Sequence, residues 1–124
     1  MKKNNKNFSE QITYWKNISK FHKSSEKFIL ENKKKVYWPY IFKYQILSNN
    51  FLDIESENFR DIDWYLISEY QKLNINFIDK YQDKLNWKLI FQNQEIPENY
   101  LLKFQDRISS KQFWNYISRY QKLS

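Results

Sequence analysis

The five tryptophans of the chain, Trp15, Trp38, Trp64, Trp87 and Trp114, stand at spacings of 23, 26, 23 and 27 residues. Three residues after each comes an isoleucine: Ile18, Ile41, Ile67, Ile90 and Ile117. Six after comes Phe21, Tyr44, Tyr70, Asn93 or Tyr120, and seven after comes His22, Gln45, Gln71, Gln94 or Gln121. Thirteen after comes Phe28, Phe51, Phe77 or Tyr100. One Trp-x-x-Ile would be chance, whereas five in register, using every Trp, define a repeat. Trp, Ile and the aromatic at i, i+3 and i+6 predict an apolar stripe on a short first helix. Ser25, Ser48, Asn74 and Pro97 then suit the opening of a second helix, through a side-chain cap or through proline's tolerance in the first turn. Asp61, Asn86 and Ser110 precede the next tryptophans as expected caps of the next first helix. No stretch sustains period-two alternation, so no strand is predicted.

A unit of two short helices cannot bury its apolar side alone, and stacking successive units makes one continuous core. The expected fold is therefore all-α: a compact, solenoid-like array of about four and a half helix-turn-helix repeats in one domain, residues 1–124. The units are 15–37, 38–63, 64–86 and 87–113, with a half-unit at 114–124. Residues 8–14 are expected to form a second half-unit, and 1–7 a flexible lead-in. The five tryptophans and five isoleucines form the expected repeat core. The alternating spacing predicts a longer connection after every second unit.

The consensus W-x-x-I-S-x-Y-Q-x-L-S-x-x-F-[IL]-x-K-[YF]-x-D-[KR]-[LI] resembles a short helical repeat found in small proteins of giant DNA viruses, phages and low-GC bacteria. The resemblance runs from about Tyr14 to Ser124 and is closest at 64–86 and 114–124. It is weakest in the first unit, where Phe21 and His22 replace Tyr-Gln and Asn32-Lys33-Lys34-Lys35 stands in place of Asp-Lys. What it implies is a repeat fold without catalytic residues.

Composition narrows the chemistry further. There is no Cys, which removes thiol catalysis, thiolate metal sites and disulfides. There is no Gly, so no glycine-rich phosphate loop or dinucleotide fingerprint can form. The opening MKKNNKNF carries charge without an apolar segment after it, so no secretory leader is expected. No apolar run is long enough for a membrane span. A cytoplasmic protein without cofactor or membrane partner is the expectation. Lys and Asn are abundant, as AT-rich codon usage alone would produce. The net charge of +7 is nevertheless uneven: residues 1–43 hold eleven lysines against Glu10, Glu26 and Glu31, and the rest of the chain is close to neutral.

Among candidate sites, His22 is the sole histidine, and it occupies a repeat glutamine position without the partners an acid–base site needs. The acidic pairs Asp61/Asp63, Asp53/Glu55 and Asp79/Asp83 recur with the repeat or flank helix starts, which points to scaffold. The glutamine at the seventh position could read one base per unit or bind across unit junctions. A code should vary between units, and this residue does not, so the junction role is expected. The tryptophans could stack on bases, but their place on an amphipathic stripe makes them expected core.

Lys16, Lys20, Lys23, Lys27, Lys33, Lys34 and Lys35 form the expected binding patch, for phosphates or an acidic protein. No enzyme is expected. The function expected is binding to a protein or ribonucleoprotein complex, as in an inhibitor of the anti-CRISPR kind carried by a phage or mobile element. RNA or single-stranded DNA binding through the basic third, and a scaffold or adaptor role, are the alternatives.

Overall fold

A computed structural model describes residues 7–120, the Tyr120 side chain excepted. Within them the chain is all-α, with no strand. Nine helices follow in order: α1 (Phe8–Phe21), α2 (Glu26–Glu31), α3 (Trp38–Tyr44), α4 (Asn49–Glu55), α5 (Asp61–Tyr70), α6 (Ile75–Lys80), α7 (Trp87–Asn93), α8 (Glu98–Phe104) and α9 (Ser110–Tyr120). A 3₁₀ turn follows α4 at Ser56–Asn58 and another follows α8 at Gln105–Arg107. The odd-numbered helices pack in chain order, α1 on α3, α3 on α5, α5 on α7 and α7 on α9.

The predicted second-helix starts are where the sequence put them. Ser25, Ser48 and Asn74 accept from the backbone N–H three residues on, at 3.1, 3.0 and 2.8 Å. Pro97 occupies the same position at α8. Asn86 caps α7 through Leu89 N. The other two first-helix caps lie one residue earlier than expected. Asp61 is already helical, and α5 starts from Arg60, whose N–H is taken by the Asp63 carboxylate at 2.9 Å. This is the return arm of a capping box. At α9 it is Ser109, not Ser110, whose hydroxyl accepts from Gln112 N.

The half-unit expected at 8–14 is not a separate element; those residues are the first turns of α1. The expected lead-in 1–7 loses Asn7, which caps α1 by accepting from Glu10 N at 2.8 Å. Residues 1–6, Gln121 and Leu123 lie outside the described residues. The residues added after every second unit do not lengthen a loop alone: Asp61–Asp63 form the first turn of α5, whereas α3 and α7 begin at their tryptophan. A serine four residues after Trp15 and Trp64 explains the short starts. Ser19 and Ser68 are fully buried, donate to the carbonyls of Trp15 and Trp64, and accept from Tyr37 N and Asn86 N, which pins the chain just ahead of α3 and α7. Phe42 and Phe91 hold the equivalent position in the intervening units and are core.

Each of the first four tryptophans packs on the second helix of its own unit. Trp15 meets Phe28, Trp38 meets Phe51, Trp64 meets Phe77 and Tyr81, and Trp87 meets Phe104. Trp64 and Trp87 are buried, and Trp15 and Trp38 half-buried. Ile41, Ile67 and Ile90 are fully buried, while Ile18 and Ile117 at the two ends are half-buried. Trp114 departs from the expected core and is 64% exposed. Among the described residues no second helix lies over its ring, which meets only Phe113 edge to face. Phe113, Tyr116 and Ile117 make the inward face of α9 instead.

The glutamines replace what glycine does at helix ends elsewhere. Helices commonly end on a left-handed glycine that satisfies the last carbonyls. Here no described residue has positive φ, and α1, α3, α5 and α7 each end on an extended residue. At the ends of α1, α3 and α5 the orphan groups are taken by the glutamine of the following unit. Gln45 donates to the carbonyls of Ser19 and His22 and accepts from Ser24 N. Gln71 donates to Phe42 O and Gln45 O at 2.8 and 2.7 Å and accepts from Leu47 N at 3.1 Å. Gln94 donates to Gln71 O and accepts from Leu73 N. In the last junction the Tyr116 hydroxyl receives Ile96 N at 2.8 Å.

Along the second helices and the turns that follow them, neighbouring units are tied by ion pairs: Asp53 to Lys80 at 2.8 Å, Asp79 to Lys103 at 2.7 Å and Asp83 to Arg107 at 3.0 Å. Lys80 first, and then the Tyr81 hydroxyl, hold the Asp53 carboxyl below its ordinary range. A depressed carboxylate stabilises the fold above its unfolded pKa and loses that contribution as pH falls through the folded value. Asp53→Asn should therefore lower Tm at pH 7, and the gap to wild type should close as pH drops below about 3.9. Paired thermal melts at the two pH values check this.

Candidate binding face

At 3.6 residues per turn, the seventh position after Trp returns to within ~20° of it, whereas the sixth lies ~120° away. The glutamine therefore joins the buried face and the aromatic leaves it. This corrects the expected stripe: Phe21 is 73%, Tyr44 39% and Tyr70 42% exposed. The fifth position, Lys20 in unit 1 and Lys43 in unit 2, lies next to it.

Stacking of the first helices brings each such lysine onto the aromatic ring of the next unit. Lys20 Nζ lies 5.2 Å from the Tyr44 ring centre, and Lys43 Nζ lies 5.4 Å from that of Tyr70. Lys16 Nζ stands 4.7 Å from Tyr37. Tyr37, Tyr40 and Tyr44 are joined edge to face at 4.8 and 5.4 Å. The result is one strip across three units, running from Lys16 and Tyr37 through Lys20, Tyr44 and Lys43 to Tyr70. Ammonium groups over ring faces are favourable and stay solvated at such a surface. Lys43 is held above the ordinary lysine range by Tyr44 and then Tyr70, so it is cationic at neutral pH.

The strip ends where both of its components change. Glu69 stands where Lys20 and Lys43 stand, and Asn93 stands where Tyr44 and Tyr70 stand. Lysine and ring are lost together, one unit apart, as the cross-unit pairing requires.

The expected lysine patch divides. Lys16 and Lys20 belong to the strip. Lys16, Lys34 and Lys35 line a groove of ≈ 460 Å³ beside α1. Lys33 and Lys34 border a smaller cavity of ≈ 300 Å³ next to Trp38 and Arg60, and the Lys33 carbonyl accepts the Trp38 indole N–H. Lys27 lies on α2 with Glu31 at 3.9 Å, both well exposed, a pair of little energetic weight. Lys23 is an exposed turn residue, and neither it nor Lys27 joins the strip or the groove. Sequence reasoning counted Lys43 only among the lysines of the basic first third, and left Tyr44 and Tyr70 out of the patch. The helical angle of the sixth position was the signal that could have found them.

The other candidates are occupied structurally. His22 ends α1, with its ring against Phe28 and Nδ1 3.0 Å from the Ser24 hydroxyl. Asp63 is buried on Arg60, and Asp53, Asp79 and Asp83 hold the inter-unit ion pairs. Among the described residues no group of His, Cys, Asp and Glu is placed to hold a metal ion, and no helix is long and apolar enough to cross a membrane.

Fold and face together define a class: an all-α repeat chain with a basic, aromatic strip on its first helices. Compared with known protein families, curated proteins and solved structures, the chain matches none.

Proposed function

We propose that this chain is a non-enzymatic binding protein whose lysine–tyrosine strip engages single-stranded RNA, free or within a ribonucleoprotein. The observation that carries the reading is the pairing of a cation with a ring at two successive unit junctions. A single strand offers a phosphate and a planar base at every step, and grooves that combine cations with aromatic rings recognise both. An acidic protein segment offers charge without a plane for each charge. The commitment of Asp53, Asp79 and Asp83 to inter-unit ion pairs and of Asp63 to a helix cap supports the non-enzymatic part. The inhibitor of the anti-CRISPR kind is the form of this proposal in which the strand is the guide of a nuclease complex.

Binding of a fluorescent U12 RNA across a salt series tests it. The logarithm of affinity should fall linearly with the logarithm of salt, and each strip lysine lost should flatten that slope by about 0.7. Lys20→Gln/Lys43→Gln should thus flatten it by about 1.4. Absence of binding at low salt would overturn the reading, and so would an unchanged slope in the double variant.

A further inference from the structure

We infer that the groove beside α1 is a pocket for one nucleotide, its base between aromatic and aliphatic walls and its phosphate on the lysine rim. This inference rests on the strand-binding reading and assigns a subsite to it. Phe8, Ile12 and Trp15 recur at i, i+4 and i+7, so they share one face of α1. That face is not closed over: Phe8 is 80% and Ile12 42% exposed. The opposite wall comes from the segment that carries Lys35 and Tyr37. The volume of ≈ 460 Å³ lies within the range of small-molecule pockets, about 300–1,000 Å³.

Two observations identify the occupant. The first is charge: among the described residues, Lys16, Lys34 and Lys35 line the groove and no acidic residue does. Lys35 Nζ lies 5.8 Å from the Trp15 ring centre, so cation and indole are presented together. The second is continuity: Lys16 and Tyr37 belong both to the groove and to the strip. A strand that follows Tyr70, Lys43, Tyr44 and Lys20 reaches the groove at its end, and there a base can leave the surface and enter. Only a ligand with a plane next to each anion uses the walls and the rim at once.

The test uses the full chain, isotopically labelled, with U12 RNA. Binding should move the Trp15 indole resonance. Ile12→Asp places a carboxylate on the apolar wall at an exposed helical site. It should weaken U12 binding about tenfold or more, as loss of one stacked base does. Lys34→Gln/Lys35→Gln, which leaves the walls intact, serves as the second variant and should lower both affinity and salt slope. Circular dichroism melts confirm that each variant is folded. If U12 binds and depends on Lys20 and Lys43, yet Trp15 does not move and both groove variants bind within twofold of wild type, the groove inference fails while the strip reading stands. If U12 does not bind at low salt, the strip reading fails and the groove inference with it. If a hexaglutamate peptide moves Trp15 and U12 does not, the occupant is an acidic protein segment and the nucleotide assignment is wrong.

Discussion

Replacing Gln71 by leucine is expected to destabilise the fold by about 3 kcal/mol or more, since each buried polar group left unpaired costs about 1–3 kcal/mol. Three such groups lose their partner at once: Leu47 N, Phe42 O and Gln45 O. Gln71 itself is buried, so water has no ready route to replace its amide. Gln71→Glu separates packing from hydrogen bonding. The carboxylate keeps the shape and can still accept from Leu47 N, but it sets lone pairs against two carbonyls. It should be as damaging as leucine at pH 7 and partly recover in acid, where a protonated carboxyl can donate once. Urea unfolding of the three proteins measures this. A loss under about 1 kcal/mol for Gln71→Leu would show that the junction does not depend on the amide.

Trp87→Ala is the second large effect, expected at about 3–5 kcal/mol. The indole is 8% exposed and lies 4.6 Å from the Phe104 ring centre. It donates to Gln82 O at 2.7 Å and carries the Arg107 guanidinium over its face. Truncation therefore opens a cavity and unties the inter-unit arginine together. Trp114→Ala, the same substitution at the same repeat position, should stay within about 0.5 kcal/mol, as exposed sites do. The contrast is the informative quantity. Equal losses at the two sites would mean that Trp114 is covered, and equal neutrality would mean that the aromatic ladder is not what holds the units together.

These two residues also mark how far sequence reading reaches. The Gln position was legible as a junction element because its identity is the same in every unit after the first, as a packing constraint demands and a base code does not. The Trp position was legible as core, and that reading fails only at Trp114. The failure is instructive, because nothing inside the repeat motif distinguishes Trp114 from Trp64. What covers the first four tryptophans is the second helix of their own unit, which lies outside the motif that carries the tryptophan.

The face was less legible than the scaffold. Lys20, Lys43, Tyr44 and Tyr70 are distant along the chain, and their pairing arises only when one first helix lies on the next. A density of lysines along the sequence therefore mixed three environments: the strip, the groove, and solvated turn positions such as Lys23.

What the sequence determined by itself was local: helix–turn–helix units, their second-helix caps, and the identity of the repeating core. Caps and 3.6-residue periodicity are satisfied within a few residues, so their signals sit side by side in the chain. Only the tertiary structure decided which carbonyls each glutamine serves, which tryptophan is left uncovered, and which lysines meet which rings. Those depend on the neighbouring unit, 20 or more residues away, and stacking geometry rather than any single motif sets them.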